Sequence, residues 1–482
     1  MEYILVLNFN TFNATSIAKI LRNNGVNALI KNGTDICNIN TIENCKGIII
    51  CGDYVLSLSG IELDKNWLNL QLPVLTIGSS TLALNAMFGG KTEDTILNDS
   101  FAVQYPNYEN HPLTLQSTAY IIAKPLLPGD RMKPFAIVND NICIGIKHVE
   151  KEIYGLQRKF ERNDPQSIQL LLNFATEICH YSQAWNVEEI TSQYIQDIQT
   201  KYSSNTIFSC VCPGVESAVA TNIFKQAFPN SIHCIFVDTG LYNDNEVEET
   251  AHFYKNILKL PFSLIDMKEQ CLSILQNSEE STQQNDEIVY KKVREALLQK
   301  IKVFSNALLI YGAAFTKSQV FWNELQSNEN FKEIQTINPL QNLFVFEVEN
   351  LAESYMLPDE IINNSTEPFL GIASQIYGKI TEEKINILKD IYQIYYSEIN
   401  EVNITKKLWK YSVALMPHVA LPDKFEIYLR AWQNTQNPLS YPYRMPYDLL
   451  ERVSNKILHM HPRTIRHILY DLTPIENLNN LE

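Results

Sequence analysis

The sequence predicts an α/β protein: two doubly wound, mainly parallel-sheet domains in tandem, then a smaller C-terminal α+β domain. Three observations carry that expectation. Short apolar runs alternate with helix-length amphipathic runs through the first third of the chain. The same alternation restarts after "HYSQAWNVEEI" (180–190). Strands separated by helices pair in parallel, with helices covering both faces. Beyond about residue 366 the alternation gives way to long helices and a late strand.

In order, "YILVLN" (3–8) reads as a buried strand and "ATSIAKILRNNG" (14–25) as a helix ended by Gly25. "NALI" (27–30), "GIII" (47–50) and "PVLTI" (73–77) are further strands, the last turning at Ile77-Gly78-Ser79-Ser80 into a helix that runs to about Phe88. "FAIVND" and "ICIGIKHV" (135–149) extend the sheet in antiparallel fashion. The second series has strands at 206–211, 231–238 and 262–267, with turns "CPGVES" (212–217) and "TGLYND" (239–244) and helices at 218–228 and about 246–258. The polar stretch 277–287 reads as a loop. In the last part, "TEEKINILKDIYQIYYSEI" (381–399) is a helix capped by Thr381, with Ile385, Leu388, Tyr392 and Tyr395 on one stripe. A helix at 446–460 and a strand at 466–472 follow.

Composition excludes several classes. A chain of 482 residues supports two to four domains. The net charge of −15 opposes broad electrostatic binding of nucleic acid. Nine cysteines, an odd number scattered through apolar runs, suit reduced thiols and a cytoplasmic setting better than a disulfide framework. No secretory-type leader is expected, and no apolar run approaches the roughly 18 residues of a membrane helix.

Several stretches resemble, in order, the glutamine-dependent GMP synthase family. "ILVLNFNTFNATSIAKILRNNGV" is similar to that family's opening strand and helix, and "KGIIICGD" to its oxyanion-loop strand. "IFVDTGLYNDNE" looks like its second pyrophosphatase motif, and "YGKITEEKINIL" and "YDLLERVSNKI" resemble its dimerisation domain. The resemblance implies three modules: a class I glutamine amidotransferase-like domain over 1–182, an ATP pyrophosphatase-like (PP-loop) domain over 183–365, and a C-terminal domain over 366–482 through which the chain forms a homodimer. It also implies Mg-ATP as the cofactor and a nucleotide or protein as further partner.

The chemistry sits where this sequence departs from the family. The family elbow G-I-C-Y-G corresponds to Thr76, Ile77, Gly78, Ser79 and Ser80, so the nucleophile's place is taken by Gly78. The partner motif Q-F-H-P-E corresponds to Gln157, Arg158, Lys159, Phe160 and Glu161. The base has become Lys159, and only the orienting acid Glu161 survives. Covalent catalysis needs a nucleophile with a base within hydrogen-bond reach, and a lysine near its usual pKa of about 10.4 is protonated at neutral pH. The oxyanion loop reads Cys51-Gly52-Asp53-Tyr54, with a carboxylate where an anion would form. Glutamine hydrolysis is expected to be absent.

The phosphate loop S-G-G-V-D-S corresponds to Cys212, Pro213, Gly214, Val215, Glu216 and Ser217. Pro213 removes one N–H and fixes φ. The second motif keeps Asp238, Thr239, Gly240, Leu241, Asn245 and Glu246. These two stretches are the expected ATP and pyrophosphate contacts. Downstream, Tyr311-Gly312-Ala313 and Lys317 replace Q-G-T and the acid of Y-P-D, the histidine-bearing lid has no counterpart, and the substrate-phosphate motif survives only as Pro368 and Gly371 in "NSTEPFLGI". "PIENLNNLE" (474–482) replaces the family's terminus. No metal site is expected: Cys210 and Cys212 read as structural, and His459 and His461 as solvated surface at a helix end. The expectation is a dimeric pseudoenzyme, nucleotide sensor or scaffold. Its rivals are an adenylating ligase acting on another acceptor with ammonia or an amine, and a divergent GMP synthase fed by external ammonia.

Overall fold

The computed structural model describes every residue except 10–12, 34–42, 53–62, 64–69, 116, 159, 161–163, 230, 244, 278–281, 315–333, 365–368, 422, 434–441 and 474–482. The chain divides into two compact units, Met1–Asn186 and Val187–Glu482.

The first unit is built on a seven-stranded sheet. Its order is Ala28–Asn32, Tyr3–Asn8, Cys45–Cys51, Val74–Ile77, Ile153–Leu156, Ile142–His148, Met132–Val138. The first five strands pair in parallel, and the last two add antiparallel, as the apolar runs at 135–149 imply. Ile48, Ile49 and Ile50 are fully buried, as a central parallel strand covered on both faces requires. Two small antiparallel pairs, Lys91–Thr92 with Leu126–Leu127 and Leu97–Val103 with Ser117–Ala123, stand outside this sheet.

A polar knot sits within this unit. The Tyr154 hydroxyl meets the Glu152 carboxylate, lies 2.9 Å from His111 Nε2, and accepts from Lys147 Nζ at 3.0 Å. Tyr108 and Phe135 pack on the His111 ring. Burial, and then the Lys147 ammonium, push the His111 pKa down to about 4, against a smaller opposing pull from Glu152. The sign follows from linkage. Above about pH 6.5 both folded and unfolded states hold a neutral ring, so the group adds no pH dependence. Below it the unfolded chain takes a proton that the folded one refuses, so stability falls as pH drops from about 6.5 to about 4. The urea midpoint is expected to fall over that window less steeply in His111→Asn than in the unaltered protein. Equal slopes would show that the ring does not titrate as its surroundings demand.

The second unit contains an all-parallel five-stranded sheet, ordered Phe262–Asp266, Ile232–Asp238, Thr206–Val211, Ala307–Ile310, Gln335–Ile337. A three-stranded sheet follows: Leu408–Pro417, Phe425–Gln433 and Ile465–Tyr470, the central strand antiparallel to the first and parallel to the last. Helices Glu382–Glu401 and Tyr447–Met460 pack with this sheet. Thr381 accepts from the Lys384 N–H as the expected cap, and Ile385, Leu388 and Tyr395 are buried. One apolar core includes Ile235 and Leu309 from the first sheet and Leu415 and Val453 from the later elements.

Two expectations change here. The polar stretch 277–287 is not a loop throughout, because a helix runs over Thr282–Ile301. Gln and Glu are good helix formers, the segment has neither Gly nor Pro, and polarity alone does not break a helix. The helix expected over 246–258 is α-helical over Glu246–His252 and continues as a π-turn over Phe253–Ile257. The long strands 408–417 and 425–433 were not anticipated from the sequence.

Candidate functional site

The elbow of the first unit carries a glycine at its apex. Val74–Ile77 ends where the helix Ser79–Met87 begins, and the residue between, Gly78, has φ 68° and ψ −135°. That is the strained region an L-residue enters at a cost of order 1–3 kcal/mol and glycine enters freely. The Gly78 N–H donates to Leu156 O at 3.1 Å, and the Gly52 N–H to Ile77 O at 2.9 Å, so the turn is tied to both neighbouring strands. Ser80 Oγ donates within 2.8 Å to the carbonyls of Ile50 and Ile77 and accepts from the Ile77 N–H at 3.0 Å. Ser79 and Ser80 are both buried.

Lys159, Glu161, Asp53 and Tyr54 lie outside the described residues. Their described neighbours have structural employment. The Gln157 amide exchanges hydrogen bonds with the backbone of Lys124 at 3.0 and 2.8 Å. Buried Arg158 donates to Asp164 at 2.9 Å, and Asp164 caps the helix Pro165–Asn173.

In the second unit the sequence-predicted phosphate loop leads into the helix Val215–Ala227. Gly214 stands at its N-cap and no side chain caps it. The N-terminal amides of such a helix form an anion site. Ser217 Oγ accepts from the Cys212 N–H at 3.2 Å and lies 2.9 Å from the Cys212 carbonyl, so it closes the loop on itself. Glu216 Oε1 accepts from the Ala314 N–H at 3.1 Å, joining the loop to the Tyr311–Ala314 segment. Val215 is buried against this turn.

Asp238 is buried at the end of its strand. Its Oδ1 accepts from the Gly240 N–H at 2.9 Å, and its Oδ2 pairs with Lys268 Nζ at 3.1 Å. That carboxylate raises the Lys268 pKa. A nucleotide hydroxyl would therefore compete with Lys268 for Asp238. No motif in the sequence pointed to Lys268; only parallel pairing of the two strands brings it there. Thr239 Oγ1 donates to Phe369 O at 2.7 Å, stapling this turn to the segment that holds Gly371. Gly371 has φ 53°, and a side chain there would collide with the Leu241 carbonyl, so its retention is explained by close packing. Pro368, Phe315, Thr316, Lys317 and 474–482 lie outside the described residues.

A cavity of about 370 Å³ opens beside the loop, lined by Pro213, Glu246, Glu248, Glu249, His252 and Glu360 among others. Burial, and then the Glu246 and Glu360 charges, raise the Glu249 pKa. Cys210 lies in the strand Thr206–Val211 and Cys212 just after it. Both are buried, and burial pushes the Cys210 thiol far up, in keeping with a structural role. His461 pairs with Asp390 at 3.2 Å with its side chain only 14% exposed, so it is not the solvated surface residue the sequence suggested.

No protein-family model matches the chain. Curated relatives match it end to end. The glutamine-hydrolysing GMP synthase of Clostridium kluyveri is 24% identical over 506 aligned positions, covering 98% of each protein. Those of Petrotoga mobilis and Caldicellulosiruptor saccharolyticus are 25% and 26% identical with the same coverage. Among solved structures, a GMP synthase subunit from Thermoplasma acidophilum aligns to 41% of this chain and 98% of its own, at 18% identity and a TM-score of 0.30. The NH3-dependent NAD synthetase of Campylobacter jejuni aligns to 46% of this chain and 87% of its own, at 16% identity and a TM-score of 0.30.

The parallel sheets and the two strand-to-helix turns define an α/β unit followed by a second α/β unit that continues into a three-stranded sheet. The chain is thus similar to glutamine-hydrolysing GMP synthases along 98% of its own length and of theirs.

Proposed function

We propose that this chain is a GMP-synthase-like pseudoenzyme: a dimeric, nucleotide-responsive scaffold that has no glutaminase. The observation that carries the reading is Gly78, an intact elbow with no side chain at its apex. The ion pair that occupies Asp238 supports it, because a contact expected for nucleotide is engaged by the protein's own Lys268. The dimer would use the C-terminal part, where Tyr447, Met460, Leu469 and Leu472 are exposed apolar residues of the kind a second copy covers. The test is AMP and pyrophosphate formation from Mg-ATP and ammonium, with xanthosine monophosphate and a panel of carboxylic acids. Silence in folded protein that still binds ATP supports the scaffold reading. Conversion of xanthosine monophosphate to GMP overturns it.

A second reading has its own support. The cavity beside Pro213 presents several carboxylates, which repel a nucleotide phosphate and attract a cationic amine. Such a pocket suits an adenylating ligase that joins an activated acid to an amine. AMP release that depends on an added amine would favour this reading.

A further inference from the structure

We infer that His418, Glu426 and His467 form a divalent-metal site, of the Zn2+ class, on the C-terminal three-stranded sheet. Sheet register assembles it. Glu426 on the central strand is directly opposite His467 on the last strand. Met416 on the first strand is opposite Glu426, and His418 follows two residues later, on the same side. The hairpin tip fixes His418, whose N–H donates to the Lys424 carbonyl at 2.9 Å.

The ligand atoms of all three residues lie within 4.8 Å of one another. Glu426 Oε1 is the hub, 3.4 Å from His467 Nδ1 and 3.9 Å from His418 Nε2. Tetrahedral bonds of roughly 2 Å set neighbouring ligands about 3.3 Å apart, so the Glu426–His467 pair is already placed, and the Glu426–His418 and His418–His467 pairs, within 4.8 Å, close by side-chain rotation. The second carboxylate oxygen, Oε2, is contacted by the Tyr428 hydroxyl at 3.4 Å, an outer partner of the kind that orients a ligand. Two imidazoles and a carboxylate match zinc, and three protein ligands leave a fourth position for water. One adjustment is needed. The Ala420 N–H donates to His418 Nδ1, which places the proton of a neutral ring on Nε2. Metal binding through Nε2 moves that proton to Nδ1, and the exposed Ala420 N–H turns to water.

The experiment is titration of the full chain with Zn2+ alone, followed by Co2+ as a spectroscopic substitute. One equivalent is expected to bind, with a tetrahedral Co2+ absorption band. His467→Ala and Glu426→Gln are each expected to weaken binding about tenfold or more. His459→Ala, on the neighbouring helix outside the triad, is expected to leave it unchanged. His467 is half exposed, so its replacement leaves the core intact, and circular dichroism checks that each variant is folded. Three outcomes overturn the site: no saturable binding, binding that survives both triad substitutions, or half an equivalent per chain, which would assign the metal to a contact between two copies.

Discussion

Glutamine hydrolysis by this chain is expected to be indistinguishable from the uncatalysed rate, and Gly78→Cys is expected not to restore it. In a serine protease, removing either the nucleophile or its base alone costs roughly a millionfold in turnover, so replacing one of two missing members recovers little. The elbow apex is Gly78, and the resemblance to the GMP synthases would put Lys159 in the place of their base. The substitution also carries a structural cost. Gly78 occupies φ 68°, ψ −135°, where a side chain costs of order 1–3 kcal/mol. An enzyme bears such strain to expose its nucleophile. With glycine at the apex the turn carries no such strain, while the hydrogen bonds of Ser80, Gly52 and Gly78 keep strand and helix in place. Two measurements separate these statements: ammonia release from glutamine, and the thermal midpoint of Gly78→Cys. Ammonia release well above background by either protein would overturn the chemical argument. An unchanged or raised midpoint would overturn the account of strain.

The same contrast explains what was legible in the sequence. Apolar runs such as Ile48–Ile50 and Ile235–Val237 declare buried parallel strands because both faces must be covered, and burial follows directly from residue type. The elbow and the phosphate loop were legible for a second reason, since a strand-to-helix turn leaves a local signature. The strands 408–417 and 425–433 mix Tyr, Lys, Arg and Glu with apolar residues over nine or ten positions and leave a weaker one. Long-range pairings were not legible at all. Lys268 meets Asp238 thirty residues away only because parallel strands align their ends. His418, Glu426 and His467 are separated by eight and forty-one positions, and no spacing rule joins them before the sheet register is known. Local propensity travels with the sequence, whereas the partner of a charged side chain is settled by topology.

Topology also determines what Pro213 costs, and the expected result is a gain. Pro213→Gly should raise affinity for ATP and for inorganic pyrophosphate about tenfold to a hundredfold, the worth of one charge-assisted hydrogen bond at roughly 1.5–3 kcal/mol. The reasoning starts from the helix Val215–Ala227, whose N-terminus has no side-chain cap. Anion binding there is a matter of convergent N–H groups, and proline withholds one from the loop. Ser217 cannot make up the loss, because its hydroxyl already closes the loop onto Cys212. The carboxylates lining the adjacent cavity oppose phosphate charge in both proteins, so they set the baseline without cancelling the difference. Pyrophosphate separates the loop's contribution from contacts to base or ribose. Matched gains for ATP and pyrophosphate place the effect on phosphate; a gain for ATP alone would move it to the nucleoside end, near Asp238. If calorimetry finds equal affinities for the two proteins, the loop is not a phosphate site and the turn at Gly214, like the one at Gly78, is retained for packing.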